Sequence, residues 1–250
     1  MEAMIEIQGL SKHFGNLRAV DDLTFQVTKG EVLGFLGPNG AGKSTTMKMI
    51  TGFLEPTRGK IRVGGLDVGR QPVKCKAQIG YLPEGAPAYP DMTPLSFLRF
   101  IGAVRGFDKA AADKRIQEVA ARVNIEGVMQ QPIETLSKGF KRRVGLAQAI
   151  LHNPEILILD EPTDGLDPNQ KHEVRQLIKQ MSKEKAIILS THILEEVEAV
   201  CTRAVVISSG RMVFDGTPAE FEAQAPAEVS TNRMDWVFRK LTTETQGATL

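Results

Sequence analysis

At 250 residues the chain can bury one sizeable core with room for a subdomain. Its 42% apolar and 24% charged content is ordinary for a globular protein, and 31 basic against 30 acidic residues leave a net charge of +1, which supplies no overall pull toward nucleic acid, so no nucleic-acid partner is expected. Cys75 and Cys201 lie far apart with no clustered histidines, which excludes a zinc pattern or a disulfide framework and reads as two small buried side chains in a reducing compartment.

In chain order, residues 1–9 are charged and strand-like, and no signal-peptide core is expected there. Strands are predicted over 5–7, over the alternating 23–27, and over 31–36, which is short, apolar and followed by glycines. A helix follows from Gly42 to about Phe53, then strands near 60–63 and 78–82. From Pro94 to about His152 the pattern turns helical, with Leu95, Leu98 and Ile101 and then Ile116, Val119 and Val123 at helical spacing. Strands and helices then alternate: strand 156–160, helix 169–182, strand 186–190, helix 193–201, strand 204–208. Such alternation predicts an α/β fold, a mostly parallel sheet covered by helices, with a smaller antiparallel layer from the early strands. The helical middle (about 85–153) reads as a subdomain inserted into a core of 1–84 and 154–225. Residues 225–232 read as a linker. In the segment 226–250, Met234, Val237, Phe238 and Leu241 mark a short amphipathic helix, which either packs on the chain's own body or docks a second subunit. No window approaches the ~20 apolar residues needed to cross a bilayer.

The strongest motif is Gly37-Pro38-Asn39-Gly40-Ala41-Gly42-Lys43-Ser44, followed by Thr45. It fits G-x-x-x-x-G-K-[ST] and lies between a buried strand and a helix, the context this phosphate loop requires. The glycines let several N–H groups point at one anion, and the helix adds its positive end. Lys43 supplies charge for the β- and γ-phosphates, and Ser44 a hydroxyl ligand for Mg²⁺. Further on, Ile156-Leu157-Ile158-Leu159 bury a strand that delivers Asp160 and Glu161 to its C-terminal tip, where open α/β sheets bind ligands. Asp160 suits Mg²⁺, and Glu161 suits the attacking water.

With both halves of the site in view, the sequence resembles the ABC ATPases over nearly its whole length. The resemblance implies a P-loop NTPase fold of RecA-like type that binds and hydrolyses ATP with Mg²⁺. It adds readings that the residues alone do not give. Leu136-Ser137-Lys138-Gly139-Phe140 is similar to the family's signature motif; taken by itself it is a well-capped basic helix. In the family this turn closes over the γ-phosphate held by the other subunit, so Ser137 and Gly139 would contact nucleotide across a homodimer. His192 stands at the switch-histidine position, while His13, His152 and His172 read as structural. Asp167 matches the dimer-facing loop. Phe14 matches the adenine-stacking aromatic, with a core phenylalanine as the alternative, and Val20 is expected against the ribose.

Three departures stand out. Lys138 replaces a glycine and Phe140 a glutamine in the signature, and Glu84, in Tyr81-Leu82-Pro83-Glu84, stands where the family has a Mg²⁺-sensing glutamine. Glutamate keeps an oxygen ligand and adds a charge. Together with Gly165–Gln170 and Val237-Phe238-Arg239-Lys240-Leu241-Thr242, these features look like the ABC-2 exporter ATPases of the gliding-motility and drug- or copper-related type. The resemblance implies a subunit working as a dimer on the inner face of the cell membrane, cytoplasmic and held there by an integral membrane permease. The permease's short helices would enter a groove formed in part by residues 83–93. The alternative is a soluble ABC-type ATPase acting without a permease. One cassette argues against a ribosome-associated tandem protein, and the lack of a long heptad run argues against a DNA-repair ATPase.

Overall fold

A computed structural model describes residues 3–85 and 88–244; the other positions of the predicted segments 1–9, 83–93 and 226–250 lie outside the described residues. In chain order the elements are β1 (Ala3–Phe14), β2 (Leu17–Thr28), β3 (Val32–Leu36), α1 (Lys43–Ile50), β4 (Arg58–Val63), β5 (Leu66–Asp67), α2 (Pro72–Gln78) and β6 (Ile79–Leu82). There follow α3 (Pro94–Val104), α4 (Lys109–Arg122) and α5 (Lys138–Ile150), with two short 3₁₀ turns between α4 and α5. The chain continues with β7 (Ile156–Asp160), α6 (Pro168–Ser182), β8 (Ala186–Thr191), α7 (Leu194–Val200), β9 (Arg203–Ser208), β10 (Arg211–Gly216), α8 (Pro218–Ala223) and α9 (Arg233–Glu244).

Two sheets result. Strands β2-β1-β4-β5 form an antiparallel layer, and the larger sheet runs β10-β9-β3-β8-β7-β6. In the larger sheet β6, β7, β8, β3 and β9 are parallel, and only β10 is antiparallel, at the edge. Every residue of β3 and β7 is buried, as strands covered on both faces must be. One face shares a core with the helical middle, where Leu98, Ile116 and Val119 pack with Leu157 and Leu159. The other packs on the antiparallel layer through Phe35, Ile156 and Ile158, with Ile5, Ile7 and Leu23 opposite.

The predicted helical stretch is made of separate helices, each started by its own cap. Thr93 and Ser96 form a capping box at α3, the Asp108 carboxylate accepts from Ala111 N–H at α4, and Ser137 accepts from Phe140 N–H at α5. β1 and β2 run well beyond 5–7 and 23–27. Register shifts between Ile7 and His13, and Gly9 at φ +58°, break the period-two pattern that marks a strand in sequence. Helix α2 escaped notice because it spans only 7 residues and buries one, Cys75. Edge strand β10 has no fully buried residue, so it lacks an apolar signature. Helix α8 did carry a readable signal, the capping box of Thr217 and Glu220 with Pro218 between them.

The predicted linker is tied down rather than loose. The Arg233 guanidinium donates to the carbonyls of Ala225 and Val229, both at 2.7 Å. Met234 and Val237 of α9 are buried against Leu36, Val206 and Phe221, so the apolar stripe packs on the chain's own body. Both cysteines are free thiols, and none of the described helices is long and apolar enough to cross a membrane.

Candidate active site

The phosphate loop leaves the buried end of β3 at Gly37. A Cβ on Gly37 would lie 2.5 Å from the Ile207 carbonyl oxygen of β9, so the loop is pressed directly onto the neighbouring strand. At the far end Gly42 caps α1 at φ +105°, where a Cβ would sit 2.4 Å from the Ala19 carbonyl oxygen. Both the backbone conformation and the contact demand glycine. Helix α1 therefore starts at Lys43, one residue later than expected. Lys43 folds back over the loop, its Nζ donating to the carbonyls of Gly37 (2.6 Å) and Pro38 (3.2 Å). Burial pushes the Lys43 pKa below its ordinary value, and the negative charges of Glu161, Asp160 and Glu84 oppose that shift.

The carboxylates arrive from β7. Asp160 is only 1% exposed, and its Oδ1 has no hydrogen-bond partner among the described residues. Glu161 adopts φ +52°, a left-handed conformation that costs a non-glycine residue about 1–3 kcal/mol and marks functional turns. Three main-chain ties hold it there: its N–H donates to the Ser190 carbonyl at 2.9 Å, and its carbonyl accepts from Asp164 N–H at 3.1 Å and from the Arg142 guanidinium. Parallel β8 pairs Asp160 with Ser190, so the chain leaving β8 passes beside Glu161. His192 stands there, its Nδ1 2.9 Å from Glu161 Oε1, with its ring open to solvent.

A cavity of about 410 Å³ opens at this end of the sheet. It is lined by Phe14, Leu17 and Ala19 from β1 and β2, by residues of the phosphate loop and the start of α1 that include Lys43 and Ser44, and by Glu84 and Glu161. Phe14 is 48% exposed, with Lys12 Nζ 5.2 Å from its ring centroid, so it is not a core phenylalanine. Val20 is a correction: its side chain is 0% exposed, packed beneath Gly42 in the core, and does not reach the cavity. Strand alternation turns Val20 inward, and its neighbour Ala19 lines the cavity. Gly37, Pro38 and Ala41 support the loop and are not among the lining residues.

Ser137, Gly139 and Asp167 are likewise outside this cavity. Ser137 caps α5, Asp167 caps α6 by accepting from Gln170 N–H at 2.9 Å, and Gly139 lies against the Gln170 side chain. Sequence reasoning missed Leu17, Ala19, Arg142 and Glu196. Glu196 is 1% exposed and accepts from Thr163 Oγ1, tying α7 to the segment after Glu161. Burial pushes its pKa up. In sequence it is one glutamate in a short acidic helix, with nothing to set it apart.

A second cavity of about 620 Å³ lies between α1, β6 and α3. Its walls include Phe53, Tyr81, Tyr89, Phe97 and Phe100, and its charged residues are Lys48, Lys76 and Arg105, with no carboxylate among the described residues lining it.

Comparison with known proteins gives a consistent picture. The family described as ABC transporter matches residues 20–164. The linearmycin resistance ATP-binding protein LnrL of Bacillus subtilis (strain 168) is 38% identical over 218 residues, which cover 87% of this chain and 70% of that protein. The Nod factor export ATP-binding protein I of Paraburkholderia xenovorans (strain LB400) is 36% identical over 219 residues, covering 87% and 72%. Among solved structures, an ATP binding subunit of an ABC transporter superposes with a TM-score of 0.85 at 31% identity, covering 95% of this chain and 99% of that one.

Proposed function

We propose how the residues of the cavity divide the work from one premise: the chain belongs to the ABC transporter family, as an ATP-binding subunit that hydrolyses ATP. The observation that carries the reading is the meeting of the phosphate loop, Glu84 and Glu161 around one cavity, with Asp160 buried beside it. The loop N–H groups and the α1 N-terminus bind the phosphates of ATP, and Lys43 leaves its carbonyl partners for the β- and γ-oxygens. Phe14 stacks on the base, and Leu17 and Ala19 flank the sugar. Glu161 accepts a hydrogen bond from water and aligns it for in-line attack, while His192 holds that carboxylate and contacts the γ-phosphate.

The donor set fits Mg²⁺. Ser44, Asp160 and Glu84 are hard oxygen donors, and Asp160 Oδ1 is a buried acceptor with no partner among the described residues. These three residues would hold the ion, which would supply charge neutralisation at the phosphates. Ser137 and Gly139 do not line their own chain's cavity, which supports a role across an ATP-sandwich homodimer, with Asp167 in the facing loop.

The second cavity supports a docking role toward an integral membrane permease. Phe53, Tyr89, Phe100 and Val104 are large apolar side chains at least 41% exposed, and all but Val104 line it. A contiguous exposed apolar surface of this kind marks an interaction site. The chain would thus sit peripherally on the cytoplasmic face of the cell membrane, and the export direction follows the role named for the Nod factor export relative. The test is to tag the chain, solubilise membranes in mild detergent and identify what co-purifies. A stoichiometric partner with about six membrane spans is expected. A tagged chain that hydrolyses ATP but stays alone would overturn the permease reading and leave an ATPase that acts by itself.

A further inference from the structure

Arg142 is the fifth residue of α5 and 5% exposed, and among the described residues its hydrogen bonds go to main-chain carbonyls while Asp164, Asp160, Glu161 and Glu84 act on its charge from farther off. Nη1 donates to Pro83 at 3.1 Å, and Nη2 donates to both Asp160 and Glu161. Those carbonyls belong to the two backbone segments that carry the acidic side chains of the site: Pro83 precedes Glu84, Asp160 ends β7 and Glu161 follows it. One planar, permanently charged fork therefore sets the relative position of all three carboxylate-bearing residues.

The same helix begins at the signature turn, and that turn lies against the segments that follow Glu161. A Cβ on Gly139 would lie 2.5 Å from Gln170 Oε1, and one on Gly165 would lie 3.3 Å from Lys138 Cβ. Gly165 sits in the loop that runs from Glu161 to α6. The first turn of α5 is thus in contact with the loop after the catalytic carboxylate, and one turn later Arg142 grips the carboxylate's own backbone. A rigid helix that shifts at its N-terminus carries both contacts with it.

We propose that Arg142 is a positioning residue that couples the two nucleotide sites of the dimer. When Ser137 and Gly139 close on the nucleotide of the other copy, α5 and Arg142 fix the left-handed turn at Glu161 in the same chain, readying its carboxylate for hydrolysis. The coupling is reciprocal: binding at either site favours closure at the other. This rests on the ATP-sandwich reading given above.

The test uses the full chain with Arg142→Lys, Arg142→Gln and Arg142→Met. Lysine retains the charge but gathers its three donors on one nitrogen, so it cannot span Pro83 on one side and Asp160 and Glu161 on the other as the guanidinium fork does. Expected for Arg142→Lys is a kcat at least tenfold lower, an ATP KM changed less than threefold, and a Hill coefficient for ATP that falls toward 1. In a double-mutant cycle on kcat, Ser137→Ala and Arg142→Lys are expected to be non-additive, because each removes part of one linkage. Additive losses, or a folded Arg142→Lys variant with wild-type kcat and Hill coefficient, would overturn the proposal. So would a raised KM at unchanged kcat, which marks a residue that only shapes the phosphate pocket. If Arg142→Met does not fold, the lysine and glutamine variants carry the test. Glu161→Gln with Arg142 intact is run alongside: no ATP-trapped dimer there removes the sandwich and the coupling together, whereas a trapped dimer with additive losses removes the coupling alone.

Discussion

Replacing Glu161 with glutamine is the most direct challenge to the active-site reading. The side chain keeps its size, and the bonds that hold its strained turn come from the main chain, so the turn should persist: the N–H to Ser190 at 2.9 Å, and the carbonyl accepting from Asp164 N–H and from Arg142. What is lost is an ionised acceptor facing His192. The Glu161 side of that pair is 13% exposed and the His192 side 56%, and a single half-exposed contact of this kind contributes on the order of 1 kcal/mol, which shifts Tm by no more than about 2–4 °C in a chain of this size. Catalysis is affected on another scale. A positioned base contributes roughly 10²–10⁴ in rate, or about 2.7–5.4 kcal/mol of barrier. Steady-state phosphate release should therefore fall at least a hundredfold, while ATP affinity by calorimetry stays within about threefold and a dimer accumulates on gel filtration with ATP. Turnover within threefold of wild type would refute the role of Glu161, and loss of ATP binding would show that the turn itself had moved.

Lys43→Ala should act on binding instead, since it removes both the charge proposed to meet the phosphates and the donor to Gly37 and Pro38; an ATP Kd raised about a hundredfold or more is expected by calorimetry. Gly42→Ala places a Cβ 2.4 Å from the Ala19 carbonyl at φ +105°, and a urea titration should show a loss of about 1–3 kcal/mol from backbone strain alone, with ATP binding abolished. Burial, reinforced by Arg105, lowers the His152 pKa from 6.5 to about 4, and the neutral ring meets the Ile79 carbonyl at 3.1 Å. The unfolded imidazole takes up its proton as pH drops through about 6.5 and the native one only near 4, so this contribution is complete above pH ~6.5 and lost toward pH 4, up to about 3 kcal/mol at 1.36 kcal/mol per unit. His152→Gln should flatten that part of the stability–pH curve, and an unchanged slope would show that the ring is not held neutral.

Motifs that act through contiguous backbone were legible in the sequence. The run from Gly37 to Ser44 is proposed to bind phosphate through its own N–H groups, and β7 brings Asp160 and Glu161 to its tip because four apolar residues bury the strand. Both the phosphate loop and the carboxylate pair could be found without knowing what lies beside them. The helical and parallel-strand regions were readable for the same reason, since periodicity records which face is buried. Missed elements had no such record: α2 buries only Cys75, and β10 none of its residues.

Only the tertiary structure decided which side chains share the cavity. Val20 and Ala19 are adjacent, and strand alternation turns one inward and the other toward the cavity, a choice that depends on the register of β1 with β2 and its bulges. Arg142 looks like one more basic residue on a basic helix until α5 is laid across the ends of β6 and β7, where its donors meet Pro83, Asp160 and Glu161. Glu196 meets Thr163 only because β7 and β8 are neighbours. The sequence determined the chemistry that local backbone can present, whereas contacts between segments far apart in the chain depend on sheet order and helix packing, which no single segment encodes.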